Sequence, residues 1–304
     1  MIIHNICESL LFNNSVVAMG MFDGVHCGHA ALLNFLIDKA KKSGGESVVI
    51  AFSYPKSENF CLTTPSEKRE ILCKMGIDHL IEMELDEELK KMQPVDFIEK
   101  ILVDKISTKH IIVGYDQRFG RDGEGDIETL QQHSSVFGFT VEQAPEFRME
   151  GNKVSSSVIR QALLAGDVDN ANRLLGYNYT IEGTVIEGKK IGKKIGFPTA
   201  NILPDITKLI PAGGVYAVET NTKCGHFSGM LNIGVNPTIN PENRKTSIEV
   251  NIINFDRDIY NENISIVFKK RLRDEKRFKN TEQLVLQMKL DREETLRLCE
   301  RDCV

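Results

Sequence analysis

The chain has 304 residues, 41% hydrophobic and 27% charged, which is the composition of a globular protein long enough for two domains. Its formal net charge of −5 argues against a general binder of nucleic acids or membrane surfaces, because such proteins depend on basic patches. No apolar run approaches the roughly 20 residues that span a bilayer, and no positive leader precedes the first apolar residues. We therefore expect a cytoplasmic protein without membrane or nucleic-acid partners.

The seven cysteines are scattered and include no C-x-x-C pair, so we expect reduced thiols rather than a disulfide framework or a zinc site. Cys27 lies inside the first motif described below. A nucleophilic role for it is the weaker interpretation, because its neighbours suggest a chemistry that needs no thiol.

Up to about residue 176, apolar strand-like runs alternate with helical patterns, which predicts a parallel, doubly wound α/β sheet. The predicted strands are SVVAM, ESVVIAF, HLIEMEL, HIIVG and FTVEQ. The predicted helices are HAALLNFLIDKAKK, TPSEKREILCKMG, PVDFIEKILVDK and GDIETLQQHSSVF. In such sheets ligands bind beyond the carboxyl ends of the strands.

The first motif, GMFDGVHCGH at residues 20–29, follows directly on a predicted strand and opens a predicted helix. A helix N-terminus attracts phosphate through its N–H groups and partial positive charge. Gly28 would let the backbone approach closely, and His26 and His29 can donate to phosphate oxygens. The pattern favours displacement at a nucleotide α-phosphate, where catalysis is mainly positioning and charge stabilisation. A lone histidine at a turn would be structural, but two at this spacing favour a nucleotide site. We call residues 20–29 the histidine motif.

Two further stretches are ambiguous when each is read alone. SSSVIRQAL, at residues 155–163, opens a helix with hydroxyls and places Arg160 one turn along, where these groups can hold β- and γ-phosphates; alone it is also an ordinary N-cap. GYDQRFGRDGEGD follows a predicted strand, and alone it is also a plain polar loop. Together with the histidine motif, they support one site.

From about residue 180 the pattern changes to closely spaced strands with Gly, Pro and Asn turns, which predicts a small β-barrel closed by a C-terminal helix. LLGYNYT is the predicted linker between the two halves. The predicted strands and helix are YTIEGTVIEG, GGVYAVET, HFSGMLNIG, TSIEVNIINF, NISIVFKKRL and TEQLVLQMKLDREETLRLCE.

The second half carries its own candidate site. In GTVIEGKKIGKKIGFPTANI, glycines near lysines suggest a backbone cradle for phosphate, and PTAN supplies oxygens suited to Mg²⁺. A Gly/Lys-rich loop is also typical of a flexible hairpin. Glu249 lies in an alternating apolar strand, so its carboxylate is either on a solvated face or aimed at a ligand; the strand alone favours the solvated face.

The motifs GMFDGVHCGH, GYDQRFGRDGEGD and VSSSVIR closely resemble the adenylyltransferase half of bacterial bifunctional riboflavin kinase/FAD synthetases. That half is a nucleotidyltransferase-type α/β domain that joins the AMP of ATP to FMN. The resemblance implies that His26 and His29 are the catalytic pair at the phosphate, and that Asp116 and Phe119 lie at the flavin side. The implied ATP and phosphate residues of this half are Gly20, Phe22, Asp23, Gly24, Gly28, Ser155, Ser156, Ser157 and Arg160, with Phe22 and Asp23 shaping the loop. Met21 stands where the family often has Asn, and Ser157 where it usually has Thr.

GKKIGFPTAN, GGVYAV, NIGVNPT, IEVNIINFDRDIYNE and LRDEKRF follow in order the pattern of the family's riboflavin kinase domain. The resemblance implies that Glu249 is the general base, that Thr199 and Asn201 hold the metal, and that Arg273 lies near the flavin. The implied ATP and phosphate residues here are Gly188, Lys193, Gly196 and Pro198. Three departures bear on the affinity for phosphate or flavin: Lys193 replaces Arg, Asn236 stands where Arg usually precedes PT, and Asn251 replaces a frequent His. Lysine cannot reproduce the bidentate fork of arginine.

The resemblance covers roughly residues 15–295 and implies an adenylyltransferase domain at residues 1–176 and a riboflavin kinase domain at 180–304. It predicts phosphorylation of riboflavin to FMN and adenylylation of FMN to FAD, with ATP as substrate, Mg²⁺ as cofactor and a monomer or weak homo-oligomer. One alternative keeps a single activity, since H-x-G-H also occurs in nucleotidyltransferases acting on pantetheine phosphate or nicotinate mononucleotide. Another is a flavin-binding regulator without turnover, against which His26, His29 and Glu249 are all present.

Overall fold

A computed structural model describes residues 1–5, 10–54, 60–188, 191–235 and 246–300, and the chain divides into two compact units, Met1–Ser156 and Ser157–Val304.

The first unit contains a parallel sheet with the strand order β1-β4-β3-β2-β5-β6 among its described residues. The strands are β1 (Ile2–Asn5), β2 (Val16–Gly20), β3 (Ser47–Ser53), β4 (His79–Glu84), β5 (His110–Val113) and β6 (Thr140–Gln143). The helices are α1 (Cys27–Ser43), α2 (Pro65–Met75), α3 (Glu87–Lys91), α4 (Pro94–Phe97) and α5 (Ile127–Phe137). A short hairpin of β7 (Arg148–Met149) and β8 (Asn152–Lys153) follows.

Both faces of this sheet are covered, as the doubly wound pattern predicts. Along β2, Val17 and Met19 belong to one buried cluster, whereas Val16 and Ala18 belong to another, because successive strand side chains point to opposite faces. On α1 the buried residues recur at helical spacing: Leu33, Leu36, Ile37 and Ala40. The predicted α/β sheet is therefore confirmed.

Local signals define several helix ends. Thr64 and Glu67 form a capping box at the start of α2, and Gly76 ends that helix in the left-handed conformation at φ 86°. The stretch PVDFIEKILVDK differs from its prediction as one α-helix, since α4 passes into a π-helical segment over Ile98–Val103. Phe97 at the end of α4 and Ile98, Ile101 and Leu102 of the π-helical segment are all buried in the core.

The second unit contains a closed barrel with the strand order β10-β13-β12-β11-β14-β9 among its described residues. The strands are β9 (Thr180–Ile186), β10 (Ala200–Pro204), β11 (Gly214–Thr222), β12 (Gly225–Val235), β13 (Thr246–Ile252) and β14 (Asn263–Arg273). The helices are α6 (Ser156–Ala165, which starts at the last residue of the first unit), α7 (Val168–Leu175), α8 (Ile191–Lys194) and α9 (Thr281–Glu300).

The C-terminal helix α9 covers part of the outer barrel surface. Val285, Met288 and Leu296 of this helix pack against a buried cluster that contains Phe197 and Met230. The predicted barrel with a C-terminal helix is confirmed. Within the described ranges, none of the helices has both the length and the apolar character needed to cross a membrane.

Candidate active sites

The histidine motif lies at the switch point of the parallel sheet. The chain leaves β2 toward β3 and β4 on one side and returns to β5 on the other side of β2. The carboxyl ends of β2 and β5 therefore border the crevice where such sheets bind ligands. Residues 21–29 follow β2, which ends at Gly20, and residues 114–120 follow β5, so the predicted placement of both stretches on this edge is confirmed.

The spacing of the two histidines has a local cause. His26 is the N-cap of α1, and its Nδ1 accepts a hydrogen bond from the backbone N–H of His29, with 3.3 Å between the two nitrogens. The two rings stack with centroids 3.7 Å apart and planes 13° from parallel. A neutral His26 that accepts at Nδ1 carries its proton on Nε2, which is then the donor to a ligand.

Both imidazoles are neutral at physiological pH. Burial lowers the pKa of His26 to about 4. Burial also lowers the pKa of His29 well below its usual value, and the nearby charges of His26 and Lys68 lower it further. The pair therefore offers hydrogen bonds to an anion without supplying countercharge. The Nδ1 atom of His29 is buried and has no hydrogen-bond partner among the described residues.

The turn before α1 is strained and is held by contacts from distant segments. Phe22 and Val25 have φ values of 45° and 35°, which non-glycine residues rarely adopt, and Gly24 lies at φ 81°. The Asp23 carboxylate accepts from the backbone N–H groups of Leu62 at 2.9 Å and of Thr63 at 3.3 Å. These contacts agree with the expectation that Phe22 and Asp23 shape the loop.

Three more contacts hold the same turn. The backbone N–H of Gly24 donates to the Thr63 hydroxyl at 3.0 Å, and the Ser156 hydroxyl donates to the Asp23 carbonyl at 2.8 Å. The Lys68 ammonium donates to the Met21 carbonyl at 2.7 Å. Backbone geometry that costs free energy is thus maintained around the histidines by hydrogen bonds from three other parts of the chain.

Gly28 and Cys27 complete the first turn of α1. A Cβ atom on Gly28 would lie 3.3 Å from Nδ1 and Cε1 of His26, so this glycine leaves room for the histidine ring. Burial raises the pKa of the Cys27 thiol, which favours its protonated form. This agrees with the weak case for a nucleophilic cysteine. A Cβ atom on Gly20 would lie 3.4 Å from the ring of Phe22.

The predicted flavin residues of the first unit have different environments. Asp116 is exposed and forms an ion pair with Lys153 of β8. Phe119 is 6% exposed and packs in the core, with its ring centroid 5.7 Å from that of Phe97. A flavin contact of either residue stays a prediction.

The serine cluster straddles the boundary between the units. Ser155 and Ser156 belong to the first unit, where Ser156 contacts the histidine motif, whereas Ser157 and Arg160 belong to the second. Ser157 is exposed and Arg160 is half-buried in α6. Phosphate binding by the four residues stays a prediction.

In the barrel, three strands bring the second set of candidates together. Glu249 on β13 is the lateral neighbour of Asn201 on β10 and of Asn232 on β12. Lateral neighbours share a face of the sheet, whereas the flanking Ile248 and Val250 are buried on the other face. The Thr199 hydroxyl donates to Oε2 of Glu249 at 3.3 Å. The carboxylate is therefore half-buried among polar side chains rather than on a bare solvated face.

The loop before β10 fits closely around this cluster. A Cβ on Gly188 would lie 1.9 Å from Nδ2 of Asn201, so only glycine admits that amide here. Asn251, which replaces a frequent His, is buried and donates to the Pro198 carbonyl at 2.7 Å. Lys193 and Gly196 are exposed nearby in sequence, and Gly196 has φ 84°. Lys189, Lys190 and Asn236 lie outside the described residues.

Hydroxyl, amide and carboxylate oxygens are the ligands that Mg²⁺ prefers. Thr199, Asn201 and Glu249 present such atoms at one place, so the donor set fits the predicted ion. No cluster of three or more His, Cys, Asp or Glu side chains with metal-site geometry occurs in the described part of the chain.

Arg273 has a partner within the second unit. Its guanidinium makes a forked ion pair with Asp291 of α9, with 2.7 Å from Nη2 to Oδ2, and both side chains are largely buried. Since this fork ties β14 to α9, the predicted flavin contact of Arg273 stays a prediction.

Sequence reasoning missed three polar residues that contact these sites: Thr63, Lys68 and Asn232. Lys68 lies one helical turn before the buried Leu72 in TPSEKREIL, which marks an inward-facing position. The spacing of Lys68 and Leu72 could therefore have indicated from the sequence that Lys68 faces the interior. The partner of Lys68, in contrast, lies 47 residues earlier in the chain.

Two family models match the chain. The model described as FAD synthetase covers residues 10–158, and the one described as riboflavin kinase covers residues 175–299.

Named relatives match over nearly their whole length. A bifunctional riboflavin kinase/FMN adenylyltransferase from Pseudomonas fluorescens is 36% identical, over 88% of this chain and 88% of its own. A protein of the same description from Listeria monocytogenes is 35% identical, over 93% of this chain and 91% of its own.

A crystal structure from Streptococcus pneumoniae, described as a macrolide-efflux protein, is also similar. It has a TM-score of 0.89 and 30% identity, covering 97% of this chain and 99% of that one. Its description names transport, which neither family model shares, whereas the similarity supports the fold of both units.

Proposed function

Because the chain belongs to the family of bifunctional riboflavin kinase/FMN adenylyltransferases, we propose a division of its two reactions between the two polar clusters described above. The enzyme phosphorylates riboflavin to FMN and adenylylates FMN to FAD. The predicted family and function are confirmed. The roles of individual residues are the proposal, and the boundaries proposed for the two catalytic domains are residues 1–176 and 180–304.

Adenylyl transfer takes place at the histidine motif. A phosphate oxygen of FMN attacks the α-phosphorus of ATP, the bond to the β-phosphate breaks, and pyrophosphate leaves. His26 donates from Nε2–H to an oxygen of the reacting phosphate, and His29 lies stacked beside it. The observation that carries this proposal is the capped, stacked and neutral histidine pair at the first turn of α1. No covalent intermediate with the protein is needed.

The remaining residues of this site bind substrates. Gly20, Gly24 and Gly28 give the nucleotide access to the backbone, and Phe22 and Asp23 hold the turn. Ser155, Ser156, Ser157 and Arg160 are the residues we assign to the β- and γ-phosphates, and the Ser156 hydroxyl also holds the turn through the Asp23 carbonyl. Asp116 and Phe119 line the flavin side.

Riboflavin phosphorylation takes place at the Glu249 cluster. Glu249 takes the proton of the ribityl 5′-hydroxyl, whose oxygen attacks the γ-phosphorus of ATP, and ADP leaves. The Thr199 hydroxyl orients this carboxylate. Thr199 and Asn201 hold Mg²⁺, which when bound neutralises charge on the phosphates. Gly188, Lys193, Gly196 and Pro198 form the loop over the ATP phosphates, and Arg273 lies near the flavin.

We also propose a cellular location and an oligomeric state. The scattered cysteines, which include no C-x-x-C pair, support a cytoplasmic location. A monomer or weak homo-oligomer is proposed, and light scattering of the purified protein tests it.

Separate substitutions test the division of labour. His29→Ala is expected to abolish FAD formation from supplied FMN while riboflavin is still phosphorylated, and Glu249→Gln is expected to do the reverse. Chromatographic separation of the flavins after incubation with Mg-ATP measures both. Loss of both reactions from either substitution argues against two independent sites, and wild-type protein that makes neither flavin contradicts the assigned chemistry.

A further inference from the structure

A buried lysine lies beside the histidine motif and has no role in the division of residues above. Lys68, in the first turn of α2, is 9% exposed, and its ammonium donates to the Met21 carbonyl at 2.7 Å. A buried charge is costly unless it is paired or hydrogen-bonded. Its place in the fold therefore requires an explanation.

The Lys68 ammonium has more N–H donors than hydrogen-bond acceptors among the described residues. An ammonium carries three donors, and within the described residues Met21 is its hydrogen-bond partner. No carboxylate in that part of the chain forms an ion pair with it. Burial lowers the pKa of Lys68, and the charges of Asp23, Cys61 and Glu82 partly oppose this. Two of its three N–H groups thus have no hydrogen-bond partner among the described residues.

The reaction at this site needs positive charge that the histidines do not provide. His26 and His29 are both neutral, and the first turn of α1 contains no acidic residue. The Lys68 ammonium contacts Met21, the residue before Phe22, whose ring centroid lies 5.3 Å from that of His29, and the charge of Lys68 lowers the pKa of His29. A triphosphate bound at the first turn of α1 would bring several negative charges next to this cation.

We propose that Lys68 binds phosphate in the adenylylation site, donating from its ammonium to a phosphate oxygen held beside His29. This inference rests on the proposed role of the histidine motif. The bound oxygen belongs to ATP and its leaving pyrophosphate or to the phosphate of FMN, which share this chemistry. Lys68 also anchors the backbone at Met21, so binding and loop position are coupled.

Kinetics of two variants and a matched control test the proposal. Lys68→Met removes the charge, Lys68→Arg keeps it, and Lys74→Met removes an exposed lysine of the same helix that pairs with Glu70. FAD formation from FMN is measured at varied Mg-ATP, with riboflavin phosphorylation as the control for folding of the second unit. We expect Lys68→Met to lower kcat/KM for ATP about 100-fold, Lys68→Arg to restore much of it, and Lys74→Met to match wild type. A Lys68→Met enzyme with wild-type kcat and KM overturns the proposal.

A measurement on the unmodified side chain covers the case in which Lys68→Met does not fold. In protein with isotope-labelled lysine, the Lys68 Cε resonance is assigned with the Lys68→Arg variant. Inorganic pyrophosphate, a non-hydrolysable ATP analogue with Mg²⁺, and FMN are then added separately. A shift with the first two assigns the lysine to the nucleotide phosphates, and a shift with FMN alone assigns it to the acceptor phosphate. No shift with any of them overturns the proposal.

The His29→Ala variant distinguishes the two failures. If it still makes FAD at the wild-type rate, the proposed adenylylation site is wrong, and the proposal for Lys68 fails with it. If it is inactive while Lys68→Met is fully active, only the lysine assignment is wrong.

Discussion

Removal of the Asp23 carboxylate is expected to collapse the turn that carries the histidines. The carboxylate is 8% exposed and accepts the backbone N–H groups of Leu62 and Thr63. Hydrogen bonds to a charged group contribute about 1.5–3 kcal/mol each, so Asp23→Ala should destabilise this part of the first unit by about 3–6 kcal/mol. The positive φ values of Phe22 and Val25 cost about 1–3 kcal/mol each, which makes the turn depend on such contacts.

The assay must report on the first unit separately, because a protein with two units does not unfold as a single transition. Hydrogen exchange by mass spectrometry measures protection of the amides at residues 62 and 63, and flavin chromatography measures each reaction. We expect Asp23→Ala to lose this protection and to lower FAD formation about 100-fold, as loss of a preorganised donor set does. Riboflavin phosphorylation should persist. Asp23→Asn, which keeps one acceptor oxygen, should have an intermediate effect.

The control is Asp38→Ala, which removes an exposed carboxylate from α1. It should leave both readouts unchanged. If Asp23→Ala keeps the amides of residues 62 and 63 protected and still makes FAD at the wild-type rate, then the carboxylate does not hold the turn, and the reasoning from its hydrogen bonds is refuted.

Three further predictions concern the two units. Gly28→Ala places a Cβ 3.3 Å from the His26 ring and should lower FAD formation about tenfold with less than about 1 kcal/mol change in stability; an unchanged rate in activity and thermal-unfolding assays would contradict this. The His26 imidazole should not titrate between pH 8 and pH 5.5, because its pKa is lowered to about 4; a midpoint near pH 6.5 in its NMR titration contradicts it. Since the unfolded state binds this proton more readily, His26 stabilises the fold above about pH 6.5, and that stability is lost as the pH falls toward 4. Arg273→Ala or Asp291→Ala leaves a largely buried charge unpaired and should each cost about 3–5 kcal/mol in denaturant unfolding of the barrel, whereas a loss near zero would show that the pair is solvated.

Local sequence determined much of the architecture. The alternation in β2, the spacing of Leu33, Leu36, Ile37 and Ala40, and the capping box of Thr64 and Glu67 are properties of neighbouring residues, and the structure has the elements they predict. The H-x-G-H spacing belongs to this class as well, because the N-cap of a helix bonds the N–H three residues later. The alternation of strands and helices predicted that the loops after β2 and β5 lie at the carboxyl edge of the sheet, and the structure places them there.

Tertiary structure decided what the polar side chains meet. The helical pattern of TPSEKREIL turned Lys68 inward, but only the fold brought it to the Met21 carbonyl, 47 residues away. The strand pattern left Glu249 between a solvated face and a ligand, and Thr199, 50 residues away, supplies its partner. Phe119 also packs in the core and Arg273 is held by Asp291, and their motifs predicted neither contact. Periodicity and caps act within one or two turns of chain, so sequence predicts them, whereas a buried charge is settled by partners that come close only after the chain has folded.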